Sequence, residues 1–432
     1  MRSANDTRLE IWRHVRSYAV PRSMIESATV RRLAGDWAGA CAAARFDVDL
    51  DVRAVARAHG SPTAAALRAD LRALAPDLLR WHLPRGGDGL LRPGLTVALA
   101  RYGGLHLVAR TPPAWADAGQ RVSLALWERG EPRPRGHPHP RPDRRFRLDL
   151  HRCLWDAGRV PELYERADPA GWAGADGFAV HRWAAEAAIL LTADGLPDGP
   201  VAVRRRPFTA VVAKGAHGAA TTCPDRVGGR HAGVNLPVLP AVAVRVLPDV
   251  MLLRAGLVDA EQLHPLVAEA LVPGASPPPA RQQRDEVADL RIVECDEARH
   301  RIGPVDGVLA PLDHDPAELR REQLLVALGG TPLPCLRAVD AAIRHPEDLV
   351  DVRARLDHGD YAGALDTVES LLGTGGVLRD GALRDELRAA ADQRVRYGLF
   401  RAGIAGHCPP RHPRQARERR AVRTHPRHAG GR

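Results

Sequence analysis

The chain has 432 residues, 62 of them basic and 52 acidic, with 45% hydrophobic and 4% aromatic side chains. That balance excludes disorder over most of the length, and the length suggests two or three folded units with at least one sizeable core. The formal charge of +10 is what nucleic acid or another polyanion would attract, but residues 411–432 carry eight arginines against Glu418 and leave the remaining chain near balance.

From the start of the chain, Leu9, Trp12, Val15 and Ala19 recur at helical spacing and predict an amphipathic helix that Pro21 ends. Ser23 and Glu26 have capping-box spacing for a second helix carrying Ile25, Val30 and Leu33. Further helices are predicted over 52–58 and 64–83. Arg2, Asp6, Arg8 and Glu10 interrupt any apolar core of signal-peptide type. The most apolar stretch, 234–253, is broken by three prolines, Arg245 and Asp249, so no membrane span is expected and a cytoplasmic location is.

From residue 90 the pattern turns to short β-prone runs over 95–99, 105–109 and 122–126, punctuated by Gly103, Gly104, Pro112 and Pro113, as in a meander. The Pro-, Arg- and His-rich stretch 131–142 reads as an exposed loop. A strand over 146–150, helices over 154–164 and 181–191, and strands over 201–203, 208–213 and 241–246 follow. Residues 214–234 form a Gly-rich segment longer than an ordinary connection. Prolines over 273–279 mark a linker. Beyond it come strands over 290–295 and 305–309 and helices over 316–328, 336–344, 349–356, 362–372 and 383–400.

These elements predict an α+β chain: a mixed α/β centre flanked by two related helical regions, with a disordered basic C-terminal tail. The expected division is an N-terminal helical region (1–88), the central mixed region (89–272), a Pro-rich linker (273–289), a C-terminal region of short strands then helices (290–405), and the tail (406–432). The relation between the helical ends rests on an internal echo. Gly35, Asp36, Trp37, Ala38, Gly39 and Ala40 return as Gly359, Asp360, Tyr361, Ala362, Gly363 and Ala364, each time after a helix bearing arginines. Residues 66–85 also align without gaps to 382–401, with ten of twenty positions identical. Glycine and aspartate suit a turn, the aromatic packs back, and alanine permits close helix approach. This resembles the turn and second helix of a tetratricopeptide hairpin, although its 34-residue period is missing.

Lys214 is the chain's one lysine; the other 61 basic residues are arginine, a bias of the kind GC-rich codon usage produces. Lys214 follows a β-prone run and opens Gly215, so its ammonium would stand at a strand end beside glycine amides, fit to hold a phosphate or, with His217, to act in catalysis. The fragment is not a P-loop, because the lysine precedes the glycines. It resembles the lysine motif of covalent nucleotidyltransferases, with His217 and Gly218 one residue late. Cys223 and His231 share the segment as candidate metal ligands; a solvated loop explains the same residues.

Glu294, Asp296 and Glu297, and Asp313 and Asp315 around His314, supply carboxylates near histidines, as a hydrolytic metal site would need and as ordinary charged turns also would. The six cysteines have no paired spacing and read as buried reduced thiols. Strong enzyme motifs are missing, no cofactor is indicated, and catalysis is left open. Arg411, Arg414, Arg417, Arg419, Arg420 and Arg423 are the candidate polyanion contacts of the tail. The leading expectation is a non-catalytic interaction or scaffold protein, its helical units binding a protein partner and its tail contacting nucleic acid or another polyanion. The alternative is an enzyme or a nucleotide- or phosphate-binding protein using the loop from Lys214 to His231.

Overall fold

The computed structural model describes residues 4–130, 137–167, 177–205, 208–214, 220–225, 236–274, 291–295, 298–305, 308–344, 347–372 and 381–404. Its first elements are α1 (Ala4–Ala19), α2 (Arg22–Leu33), α3 (Trp37–Ala43), β1 (Phe46–Asp49), α4 (Val52–His59), α5 (Ser61–Ala73) and α6 (Pro76–His82). The single helix expected over 64–83 is split into α5 and α6. Pro76 has no N–H to donate and disfavours helical geometry in the residue before it, and Ala75 is extended, at φ −101° and ψ 92°.

Strands β2 (Thr96–Tyr102), β3 (Leu105–Arg110) and β4 (Val122–Glu128) form the expected antiparallel meander. Strand β1, which no periodicity announced, adds itself parallel to β4, giving the order β1-β4-β3-β2. Two antiparallel three-stranded sheets follow: β5 (Val201–Arg205), β6 (Phe208–Lys214) and β7 (Ala220–Asp225), then β8 (Arg291–Cys295), β9 (Ala298–Val305) and β10 (Val308–Pro311), with β6 and β9 central.

The remaining helices are α7 (Leu163–Ala167), α8 (Trp183–Ala193), α9 (Ala241–Val244), α10 (Pro248–Arg254), α11 (Pro265–Leu271), α12 (Pro316–Ala327), α13 (Pro334–Arg344), α14 (Glu347–His358), α15 (Tyr361–Leu372) and α16 (Ala382–Arg401). The strand expected over 241–246 begins instead as α9, directly after Pro240, and the one expected over 146–150 contains a 3-10 turn. Among the described residues no helix is long and apolar enough to cross a membrane.

One buried cluster joins the first helices, the four-stranded sheet and α10–α11, through residues such as Val15, Leu67, Leu78, Leu99, Leu124 and Val250. Helix α6 lies inside it, with Pro76, Asp77, Leu78, Leu79, Arg80 and Trp81 all buried. A helix buried on every side must find a partner for each polar group it carries. Asp77 Oδ2 lies 2.8 Å from His264 Nε2. Trp81 Nε1 donates to Asp249 Oδ2 at 2.8 Å, and the other oxygen of that carboxylate pairs with Arg16 at 2.6 Å.

Arg80 is fully buried, and its four hydrogen bonds all run to main-chain carbonyls. Its Nε donates to Ala19 at 2.8 Å, Nη1 to Gln120 at 2.6 Å, and Nη2 to Gly119 and to His358, each at 3.3 Å. Burial, then the neighbouring Arg45 and Arg85, push its pKa well below the ordinary guanidinium value. Four carbonyls, from segments far apart in sequence, thus converge on one side chain. Replacing it with an apolar residue of similar length would leave them without their donor. Arg80→Met is expected to lower the unfolding free energy of the full chain by about 3 kcal/mol, with Arg80→Lys between it and the parent. Denaturant titration measures this, and an unchanged midpoint and slope for Arg80→Met would contradict it.

Candidate functional site

The two copies of the Gly-Asp echo fold into the same turn. After α2, the Gly35 N–H donates to the Arg32 carbonyl at 3.0 Å and the Asp36 N–H to that of Arg31 at 2.9 Å. After α14, Gly359 donates to Leu356 at 3.0 Å and Asp360 to Arg355 at 2.7 Å. Both glycines have φ +78°, a left-handed conformation that closes a helix and that side chains resist. Each aspartate then caps the next helix: Asp36 Oδ1 accepts from the Gly39 N–H at 2.8 Å and Asp360 Oδ1 from that of Gly363 at 3.3 Å. The second carboxylate oxygen pairs back to the preceding helix, Asp36 with Arg31 at 3.1 Å and Asp360 with Arg355 at 2.8 Å.

The downstream match does not fold alike. Residues 66–85 span the break between α5 and α6, whereas 382–401 is the continuous α16, where Asp392 occupies the position of Pro76.

The surroundings of the two turns differ. The α14–α15 turn is docked: the His358 carbonyl accepts from Arg80 and from Arg45, and Asp360 lies 3.9 Å from Arg45. Gly359 rests on Gly119, so close that a Cβ added to Gly119 would lie 2.4 Å from the Gly359 Cα. Gly119 has φ +64°, so both space and backbone conformation require glycine there. Arg45 and Gln120, the two non-glycine residues with left-handed φ among those described, both belong to this seat. Backbone strain of this kind persists where surrounding contacts over-determine it. Around the seat, Tyr18 donates to Asp351, Tyr397 to Asp47, and Arg401 pairs with Asp49. The Gly35 turn has open space instead: among the described residues nothing lies within 4 Å of a Cβ added there, and Val30 and Leu33 on α2 are 68% and 74% exposed.

Lys214 closes β6 in register with Ala220, and Cys223 in β7 pairs with Val211, three positions away along β6. The segment 214–234, expected as an open loop, therefore contains strand β7, whose Thr221 and Thr222 suit a pleated partner for β6. His217 and His231 lie outside the described residues, as do Arg411, Arg414, Arg417, Arg419, Arg420 and Arg423. A buried ionic set elsewhere joins His151, Glu186 and Arg166, with Glu186 accepting from Arg166 at 2.9 and 3.0 Å and lying 3.0 Å from His151. Burial raises the Glu186 pKa, yet His151 and Arg166 more than offset this and bring it to about 2. The cavity these residues line, about 30 Å³, has room for water.

A second constellation was not anticipated. Cys295 at the end of β8, His314 after β10 and Cys335 in the first turn of α13 bring one ligand atom each within 4.8 Å of one another. Cys295 and Cys335 are 1% and 0% exposed, and neither is in a disulfide. His300 of β9 stands against the same group, its Nδ1 2.6 Å from His314 Nε2. Thiols and imidazoles in this number are donors that could hold a zinc ion. Sequence reasoning weighed only the carboxylates around Cys295 and His314 and sought closely spaced cysteines. The available signal was Cys295 and His300 flanking a hairpin turn.

The docked turn carries its own pH sensitivity. His358 is buried, its Nδ1 2.9 Å from the Ala354 carbonyl, and burial first, then Arg85, Arg80 and His14, lower its pKa to about 3. Below about pH 6.5 the unfolded chain takes up a proton that the docked histidine refuses, so stability falls with pH down to about 3. The slope approaches 1.4 kcal/mol per unit. Between pH 7.5 and 5.5, amide exchange across α14 and α15 is expected to quicken about tenfold relative to α5, and His358→Gln to suppress the difference; equal quickening in both proteins would contradict this. Comparison with known proteins supplies no relative for this arrangement: no family model, no curated protein and no solved structure matches the chain.

Proposed function

We propose that this chain is a non-catalytic interaction protein in which helical hairpin turns are the docking elements. One observation carries the reading: the α14–α15 turn is seated on Arg80, Arg45 and Gly119, while the α2–α3 turn, with the same hydrogen bonds, faces open space at Gly35. The seated copy defines what the open copy would accept. Its partner would be a protein surface presenting arginine donors to the Ala34 carbonyl, a glycine or other flat backbone against Gly35, and apolar side chains against Val30 and Leu33. Exposed apolar side chains clustered on one element favour such contact. A pairwise echo at opposite ends of the chain is consistent with one copy serving the fold and the other a partner.

A photo-crosslinking amino acid placed at Leu33 in the full chain, in its native cells, is expected to yield a discrete adduct that weakens when Val30→Asp is added. No adduct, or the same adducts from the exposed position Arg68, would contradict the reading.

The arginine tail completes the proposal as a polyanion contact of low sequence preference. If Arg411, Arg414, Arg417, Arg419, Arg420 and Arg423 each neutralise a phosphate, binding to duplex DNA should weaken with salt at a logarithmic slope of about −5. A chain ending at Gly406 should lose most of that affinity and slope. Equal binding by both chains across salt concentrations would remove the tail from the account.

A further inference from the structure

We infer that Cys295, His300, His314 and Cys335 form a structural zinc centre that holds the β8–β10 sheet to α13. The inference does not rest on the docking function proposed above. The four residues come from four places in the unit: the end of β8, β9, the connection after β10, and the first turn of α13. The hairpin between β8 and β9 pairs Cys295 with Ala298 and Val293 with His300, which sets His300 two positions along the ladder from the cysteine, and Cys335 of α13 meets Cys295 and His314.

Bond lengths of about 2.3 Å to sulfur and 2.0 Å to nitrogen give a tetrahedral zinc donor–donor edges of roughly 3.3–3.8 Å. Ligand atoms of Cys295, His314 and Cys335 already lie within 4.8 Å of one another, so small side-chain rotations reach that geometry. His300 is the fourth donor of the proposal: its Nδ1 lies 2.6 Å from His314 Nε2, a ring-to-ring hydrogen bond that would open to admit the ion between them. The other nitrogen of His314, Nδ1, faces Glu318 at 3.8 Å, the outer carboxylate that commonly orients a zinc-bound imidazole. Two thiolates and two imidazoles, largely out of solvent, favour zinc over calcium or magnesium, which take oxygen ligands.

The packing of the unit points the same way. Between residues 291 and 344 the buried apolar side chains among those described are Cys295, Ile302, Pro311 and Cys335. Half of these are the two thiols, from β8 and α13, which a bound metal would cross-link. A closed four-ligand site supplies that link and leaves no open position for substrate.

The test is metal analysis of the full chain after dialysis against metal-free buffer. One zinc per chain is expected, and less than a tenth of that in Cys295→Ser or Cys335→Ser. His300→Ala should bind at least tenfold more weakly and alter the spectrum of the cobalt(II)-substituted protein, which in the parent should show tetrahedral d–d bands with thiolate charge transfer. The pair Cys223→Ser and His231→Ala should keep its zinc, which separates this centre from one near Lys214. To guard against variants that misfold, a strong chelator added to the parent should raise amide exchange across 291–344, and zinc should restore it. A parent chain that retains no zinc, or one whose zinc survives loss of both cysteines, would overturn the centre. An unchanged spectrum in His300→Ala would overturn the fourth ligand, and unchanged exchange after zinc removal the structural role.

Discussion

A buried guanidinium held by main-chain carbonyls is the constraint on which much of this architecture depends. Arg80 cannot be left unpaired in an apolar interior, and its donors are met by carbonyls from the end of α1, the turn before β4 and the end of α14. Each of those carbonyls must be held at a defined place, so one side chain fixes the relative position of three distant segments. Two further side chains of α6 work in the same manner, Asp77 set on His264 and Trp81 on Asp249. The helix has only seven residues. Its stability comes from these contacts and not from its length.

That arrangement connects local turn chemistry to the proposed function. Glycine in the left-handed region frees the carbonyl before it and brings backbone to the surface, where donors can reach it. Aspartate capping then keeps the following helix from fraying. At 358–360 the resulting knob fills a seat inside the chain, and at 34–36 the same knob is presented outward. The strained Arg45 and Gln120 lie in the seat because contacts there hold conformations that would otherwise relax. The inferred zinc centre belongs to a different part of the molecule and is independent of this docking.

The legible parts of the sequence were those governed by local rules. The meander over 95–126 announced itself through β-prone runs between Gly and Pro pairs, and the Gly-Asp echo led directly to two turns with matching hydrogen bonds. What failed depended on distant partners. Strand β1 is four residues long and alternates Phe46, Asp47, Val48 and Asp49, too little to signal a strand without knowing that β4 lies beside it. The alignment of 66–85 with 382–401 matched residue types, yet Pro76 breaks one helix where Asp392 continues the other. Strand β7 lies within a Gly-rich stretch that gives no strand period, and its pairing with β6 is what makes it a strand. The Cys–His set escaped because its ligands stand on separate elements that only the fold unites. The charge of the tail was plain from composition, but what it contacts is not a matter of composition.

The most direct measurement is amide hydrogen exchange by mass spectrometry on the full chain carrying Gly119→Ala. That change adds one methyl group to the seat and alters nothing in the hairpin more than two hundred residues away. If the α14–α15 turn is held by the seat, its amides lose protection while those of α2 and α3 keep theirs. Protection across 347–372 equal to that of the parent would show that the hairpin does not depend on Gly119 and would contradict the docking on which this account rests.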